Sequence, residues 1–308
     1  MTAPLTKLAA PDLTKDLDLT LPELHSLLTL AADLKAAPHH YASALEGKSI
    51  ALLFEKPSLR TRMTFEVAIQ QLGGFAVTNN GMIGAREPLK DVARNLERWF
   101  SGIVARTYTQ KTIEDLAKWS KIPIINALSD LYHPCQALAD MQTVKEHFGD
   151  WRGLKFSFVG DGNNVSHSLM LCCARLGMHF ALAHPKGYEA APDIIAEAQA
   201  LAAASGASIT ITNSPEDAAK DANIIYTDVW ASMGDEDEAA ERRTAFSDYQ
   251  VDEDLFALAD PDAIFLHCLP AKRGEEVTDG VMESPRSAVF DQAENRLHAQ
   301  KALLLMLL

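Results

Sequence analysis

Nine short apolar runs recur along the chain: SIALLF at 49–54, FAVTN at 75–79, GIVAR at 102–106, IPIINAL at 122–128, LKFSFVG at 154–160, MHFALA at 178–183, SITIT at 208–212, NIIYT at 223–227 and AIFLH at 263–267. Segments of helical period separate them, and this constrains the fold more than any other feature. Strands buried on both faces read as continuous apolar runs, and a parallel neighbour can be reached only through a crossover helix. The rhythm therefore predicts βαβ units and parallel sheets. After the first run, Phe65, Ala68, Ile69 and Leu72 fall at i, i+3, i+4 and i+7, with Gly73 as the stop. Leu169, Cys172, Cys173 and Leu176, closed by Gly177, repeat that arrangement, which makes both cysteines core residues rather than ligands. Thr20 and Glu23 stand in capping-box spacing ahead of a first helix.

A chain of 308 residues exceeds what one core supports, so two domains of roughly 150 residues each are expected. The boundary is placed at HFGDWRGLK, residues 147–155, where a helix ends and a strand begins. The expected fold class is α/β, with two similar domains, each a mostly parallel sheet flanked by helices. Pro134, Ala137, Met141, Val144 and Phe148 mark the helix that precedes the boundary as a bridge between the halves. A net charge of −14 argues against nucleic acid or an anionic membrane as partner. Cys135, Cys172, Cys173 and Cys268 lack paired metal-ligand spacing and suit reduced thiols in a cytoplasmic setting. No leader is expected, and the tail ALLLMLL, too short to span a bilayer, is read as a helix or strand docked on the core.

In open parallel sheets ligands gather beyond the carboxyl ends of the strands. After SIALLFE comes KPSLRTR, where Ser58 is placed as helix cap, with Lys56, Arg60 and Arg62 around it. Cations at a helix N-terminus oppose its dipole, so a phosphate site explains them better than a structural role does. Arg106 ends GIVAR, and His133 and Gln136 stand in HPCQ at the next strand end. The second half offers VGDGNN, YTDVWASMG and LHCLP. GDGNN matches a dinucleotide fingerprint only superficially, because the third glycine is absent. Asp228 is suited to an ammonium group, Ser232 and Gly234 give the following loop donors and freedom, and the run GDEDEAAERR reads as a solvated, partly helical stretch. Cys268 is either a small buried residue or a thiol near the chemistry.

SLRTR, HPCQALAD, VGDGNN, DVWASMG and HCLPA, in this order and spacing, closely resemble the aspartate/ornithine carbamoyltransferase family, and DVWASMG with HCLP is similar to its ornithine branch. The resemblance implies carbamoyl phosphate and L-ornithine as substrates, L-citrulline and phosphate as products, and a role in arginine biosynthesis. It implies that Ser58, Leu59, Arg60 and Thr61 wrap the phosphate, that Arg106 bridges phosphate and carbonyl, and that His133 and Gln136 hold the carbamoyl group. Cys268 and Leu269 would lie beside the reacting centre and Arg296 would approach from the C-terminal helix. Arg106, His133 and Cys268 would then be catalytic, and Asn164, Asp228, Ser232 and Met233 would bind ornithine. Domains at 1–150 for carbamoyl phosphate and 151–288 for ornithine follow, with 289–308 as a C-terminal helix returning to the first. The family also implies a homotrimer or higher multiple, and a loop reaching the neighbouring subunit. There many relatives carry a glutamine where this chain has Met82, whose thioether donates no hydrogen bond, so Arg86 is the candidate to replace it. No metal or organic cofactor is expected. The rivals are a carbamoyltransferase acting on putrescine or N-acetylornithine, a nicotinamide-dependent oxidoreductase, and a non-catalytic sensor on the same fold.

Overall fold

The computed structural model describes residues 6–231 and 236–308. Residues up to Gln142 together with Glu294–Leu308 form one compact unit, and Thr143–Ala293 form the other.

In the first unit, α1 (Leu21–Ala36), β1 (Ser49–Phe54), α2 (Arg60–Gln71), β2 (Phe75–Asn80), α3 (Leu89–Leu96), β3 (Gly102–Arg106), α4 (Gln110–Trp119) and β4 (Ile124–Leu128) alternate as the apolar rhythm requires, and α5 (Pro134–Phe148) follows, belonging to this unit up to Gln142 and to the other from Thr143. The four strands are parallel in the order β2-β1-β3-β4, so the order reverses at β1. The exposed edge of β4 is closed by the N-terminal segment: Leu13 bridges Ile125, with Leu13 N donating to Ile124 O at 2.9 Å. Thr20 caps α1 and Glu23 returns the bond to the Thr20 amide at 2.7 Å, a pairing worth about 1 kcal/mol. Phe65, Ala68, Ile69 and Leu72 are all buried. Gly73 follows α2 at φ 83°, and a side chain there would meet Ala42 O at 2.6 Å.

In the second unit, β5 (Lys155–Val159), α6 (Asn164–Leu176), β6 (His179–Ala183), α7 (Pro192–Ser205), β7 (Ile209–Thr212), α8 (Pro215–Ala219) and β8 (Ile224–Thr227) continue the alternation. They are followed by α9 (Ala239–Ala245), α10 (Glu253–Ala257), β9 (Ile264–His267), α11 (Asp279–Met282) and α12 (Val289–Leu307). The sheet is parallel throughout in the order β7-β6-β5-β8-β9, reversing at β5. Phe156 stacks on Phe180 with ring centres 5.8 Å apart, and Phe158 on Tyr226 at 5.5 Å. Cys172 and Cys173 are buried in α6 as core residues.

All nine apolar runs are strands. From Glu294 onward α12 belongs to the first unit, and Ala302–Met306 are buried there. Among the described residues no helix is long and apolar enough to cross a membrane.

Candidate functional site

The two reversal points, the ends of β1 and β3 in one sheet and of β5 and β8 in the other, are where a parallel fold leaves room for a ligand. In the first unit α2 begins at Arg60, and its cap position is Leu59, whose side chain accepts no bond. Ser58 therefore does not cap the helix, contrary to the sequence reading, because the helical turn already includes Leu59 (φ −81°, ψ −64°). A helix start without a side-chain cap keeps its partial positive charge for an anion.

Arg296 reaches the same place from α12. Its Nη2 donates to Thr61 Oγ1 at 3.0 Å and its Nη1 to Gln136 Oε1 at 2.5 Å, while Gln136 Nε2 donates to Asp140 Oδ1 at 2.7 Å. Arg296 is only 2% exposed, and Thr61, Arg106, His133 and Gln136 are buried as well. Burial first, then the positive charges of Arg296 and Arg106, hold His133 well below the usual imidazole range. His133 is therefore a neutral donor near neutrality. Of the three clustered cations, Arg60 is half-buried on the first turn, whereas Lys56 lies 4.7 Å over the Tyr108 ring. Arg62 pairs with Glu66 at 2.9 Å, one turn along α2, so that part of the expected cluster is an ordinary helix ion pair.

In the second unit the loop GDGNN caps the first turn of its helix instead of leaving it open. Asn163 Oδ1 accepts from the amides of Val165 (3.0 Å) and Ser166 (3.1 Å), and Asn163 Nδ2 donates to Asp228 Oδ2 at 3.1 Å. A side chain at Gly162 would come within 2.1 Å of Ala190 N, so the loop packs directly on backbone. A capped helix and a packed loop argue against pyrophosphate binding here, which removes the physical basis of the nicotinamide rival.

Asp228, buried at the end of β8, also accepts from Val229 N at 2.8 Å and from Cys268 Sγ at 3.0 Å. Three converging donors suit a carboxylate. Behind Cys268, His267 Nδ1 accepts from Leu269 N at 2.8 Å, which places the ring proton on Nε2, 3.1 Å from buried Glu276 Oε1. Leu269 takes a left-handed φ of 58°, rare for such a side chain, and so folds its amide back onto that ring. Asp228, His267 and Cys268 could also cluster around a metal, their ligand atoms lying within 4.8 Å of one another. Cys268 already donates to Asp228, and His267 is held by Leu269 N and Glu276, so a metal would have to displace established hydrogen bonds.

Two family models together match most of the chain: the aspartate/ornithine carbamoyltransferase carbamoyl-P binding domain over residues 12–146 and the Asp/Orn binding domain over residues 152–307. The chain belongs to the aspartate/ornithine carbamoyltransferase family. An ornithine carbamoyltransferase of Thermococcus kodakarensis is 50% identical, covering 99% of this chain and 98% of that protein. The solved ornithine carbamoyltransferase of Pyrococcus furiosus is 49% identical with a TM-score of 0.94, covering 98% of each chain. An N-acetyl-L-ornithine transcarbamylase structure is more distant, at 32% identity and a TM-score of 0.87 over 96% of this chain and 98% of that one.

Of the residues expected from the carbamoyltransferase motifs, Arg60, Thr61, Arg106, His133, Gln136 and Arg296 belong to the first unit, and Asn164, Asp228, Cys268 and Leu269 to the second. Ser232 and Met233 lie outside the described residues. The asparagine that donates to Asp228 is Asn163, whereas Asn164 is the first residue of α6. The cap could have been read from an asparagine just ahead of a helix. Nothing in the sequence pointed to Glu276. Arg242, read as part of a solvated run, donates instead to Asp161 Oδ2 at 2.7 Å and to Trp230 O at 3.1 Å, with Tyr188 5.0 Å away under its guanidinium.

Proposed function

We infer that this chain transfers the carbamoyl group of carbamoyl phosphate to the side-chain amine of L-ornithine, giving L-citrulline and phosphate. The observation that carries the reading is the buried Arg296, held between Thr61 and Gln136 in the unit whose uncapped helix start suits a phosphate. Identity near 50% to proteins named ornithine carbamoyltransferase, against 32% to the N-acetylornithine enzyme, favours ornithine as acceptor.

Carbamoyl phosphate is assigned to the first unit. Leu59, Arg60 and Thr61 at the start of α2 meet the phosphate, with Ser58 ahead of them and Arg296 behind, while Arg106 spans phosphate and carbonyl. Ornithine is assigned to the second unit, with Asp228 receiving an ammonium and Asn163, Asn164 and Cys268 around it. The acceptor amine, with a lysine-like pKa of about 10.4, must react neutral, and the arginines disfavour its charged form. The C–O bond to phosphate breaks after the C–N bond forms, phosphate leaving with the bonding pair and taking up the proton that the attacking nitrogen sheds; in between, negative charge stands on the carbonyl oxygen. Arg106 and the N–H of neutral His133 stabilise it. Thr61 assists, because its oxygen already accepts from Arg296 and its hydroxyl proton is free to point at substrate. Gln136, bonded to both Arg296 and Asp140, serves chiefly to orient the guanidinium.

The test is a ureido-product assay with carbamoyl phosphate and, separately, L-ornithine, N-acetyl-L-ornithine and putrescine. Citrulline from ornithine alone is the expected result. Product only from another amine would overturn the acceptor assignment, and silence with all three would favour a sensor.

A homotrimer assembled through the first unit completes the reading, as does a cytoplasmic place in arginine biosynthesis. Leu59, Met63 and Val67 present one exposed stripe of α2, and Phe75 and Val77 continue it on the edge strand β2, with Phe75 66% exposed. Such an apolar face on an open strand edge calls for a covering partner. Met82 and Arg86 are exposed in the loop after β2. Arg86→Ala is expected to raise the KM for carbamoyl phosphate about tenfold with the KM for ornithine unchanged, the loss of one charge-assisted contact. Unchanged kinetics would show that Arg86 does not replace the missing glutamine.

A further inference from the structure

Glu55 is an acid beside a strand end that the proposed phosphate site uses. It follows β1, and its backbone N–H donates to Arg106 O at 2.9 Å, which places it beside the strand end that carries Arg106. A carboxylate there repels a phosphate, so its presence asks for a reason.

The sheet order supplies one. Because β1 lies between β2 and β3, a side chain at its carboxyl end can reach the segments that leave both neighbours. Glu55 Oε1 accepts from Ile83 N at 3.0 Å, in the loop after β2, and Oε2 accepts from Tyr108 N at 2.8 Å, two residues beyond Arg106. The backbone adds Gly81 N to Phe54 O at 2.9 Å, at the start of the same loop. Each carboxylate oxygen thus holds one main-chain segment, 28 residues away along the sequence in one case and 53 in the other.

We propose that Glu55 is the positioning residue of the carbamoyl phosphate site, pinning the Met82–Arg86 loop and the segment after Arg106 to the end of β1. The proposal rests on the carbamoyltransferase reading above. Charge and positioning predict opposite signs on removal of the acid, which makes the test decisive.

Glu55→Gln keeps the shape and one acceptor but turns an N–H toward an amide that needs an acceptor. The expected result is a rise of about tenfold in the KM for carbamoyl phosphate, with the KM for ornithine within about twofold of wild type. Faster hydrogen exchange at the Ile83 and Tyr108 amides should accompany it. Glu55→Asp retains the charge but loses reach and is expected to share both defects, which keeps the proposal testable should the first variant fold poorly. A KM for carbamoyl phosphate that is unchanged or lower, or a fall in kcat with both KM values constant, would overturn the proposal. An inactive wild-type protein would overturn the reading beneath it, whereas exchange at Ile83 and Tyr108 reports the pinning without any turnover.

Discussion

Arg296→Met lowers kcat/KM for carbamoyl phosphate by on the order of 10⁴ in the expected outcome, within the range found when an arginine that neutralises a transferring phosphate is removed. The residue is 2% exposed and touches both Thr61 and Gln136, so its loss removes a charge and frees the two groups that flank it. Stability near neutral pH should fall modestly, because the buried Gln136 Oε1 and Thr61 Oγ1 each lose a donor, while one of the two positive charges that disfavour a proton on His133 is removed. That coupling gives a second readout. His133 is held low in the folded protein, first by burial and then by Arg296 and Arg106. The unfolded chain, with an imidazole near about 6.5, therefore binds the proton more readily as pH falls. Folding stability should accordingly drop as pH decreases below that value, and less steeply in Arg296→Met, where one of the two charges is gone. Thermal melts from pH 7.5 to 5, run beside steady-state kinetics, check both statements. A variant within tenfold of wild-type activity would remove Arg296 from the site.

Asp228→Asn is expected to lower kcat/KM for ornithine by on the order of 10³, about 4 kcal/mol, while the KM for carbamoyl phosphate stays near wild type. Asp228 accepts from Asn163, the Val229 amide and the Cys268 thiol. An amide in its place must turn its NH₂ toward one of these donors, so the variant loses both the charge that meets an ammonium and the order of its neighbours. Cys268→Ser offers the contrast, because a hydroxyl can still donate to Asp228. A loss of only about tenfold there would identify the thiol as a positioning donor, since ordinary hydrogen-bond differences are worth roughly that much. A loss as large as that of Asp228→Asn would assign the sulfur a chemical task. Calorimetric titration of ornithine into the phosphate-loaded protein separates binding from turnover in both variants.

Much of this architecture was legible in the sequence because it depends on order along the chain. Continuous apolar runs become parallel strands, glycine after a helical pattern becomes a stop, and Thr20 with Glu23 becomes a cap, since each requires partners within a few residues. The parallel topology leaves ligand room just after strands, which is why Arg106, His133, Asp228 and Cys268 could be singled out as candidates at all. What a side chain does there depends on partners that order does not reveal. Arg296 meets Gln136 across 160 residues and Thr61 across 235. Glu55 holds Ile83 and Tyr108 only because of the strand order β2-β1-β3. Arg62, adjacent to Thr61 in sequence, turns to Glu66, and Arg242, in a run that reads as solvated, bonds to Asp161 and Trp230. The sequence alone determined the strands, the helices and the strand ends at which the candidate residues stand. The tertiary structure alone decided which groups meet there and that His133 stays neutral, because burial and charge proximity are set by packing in space, not by spacing along the chain.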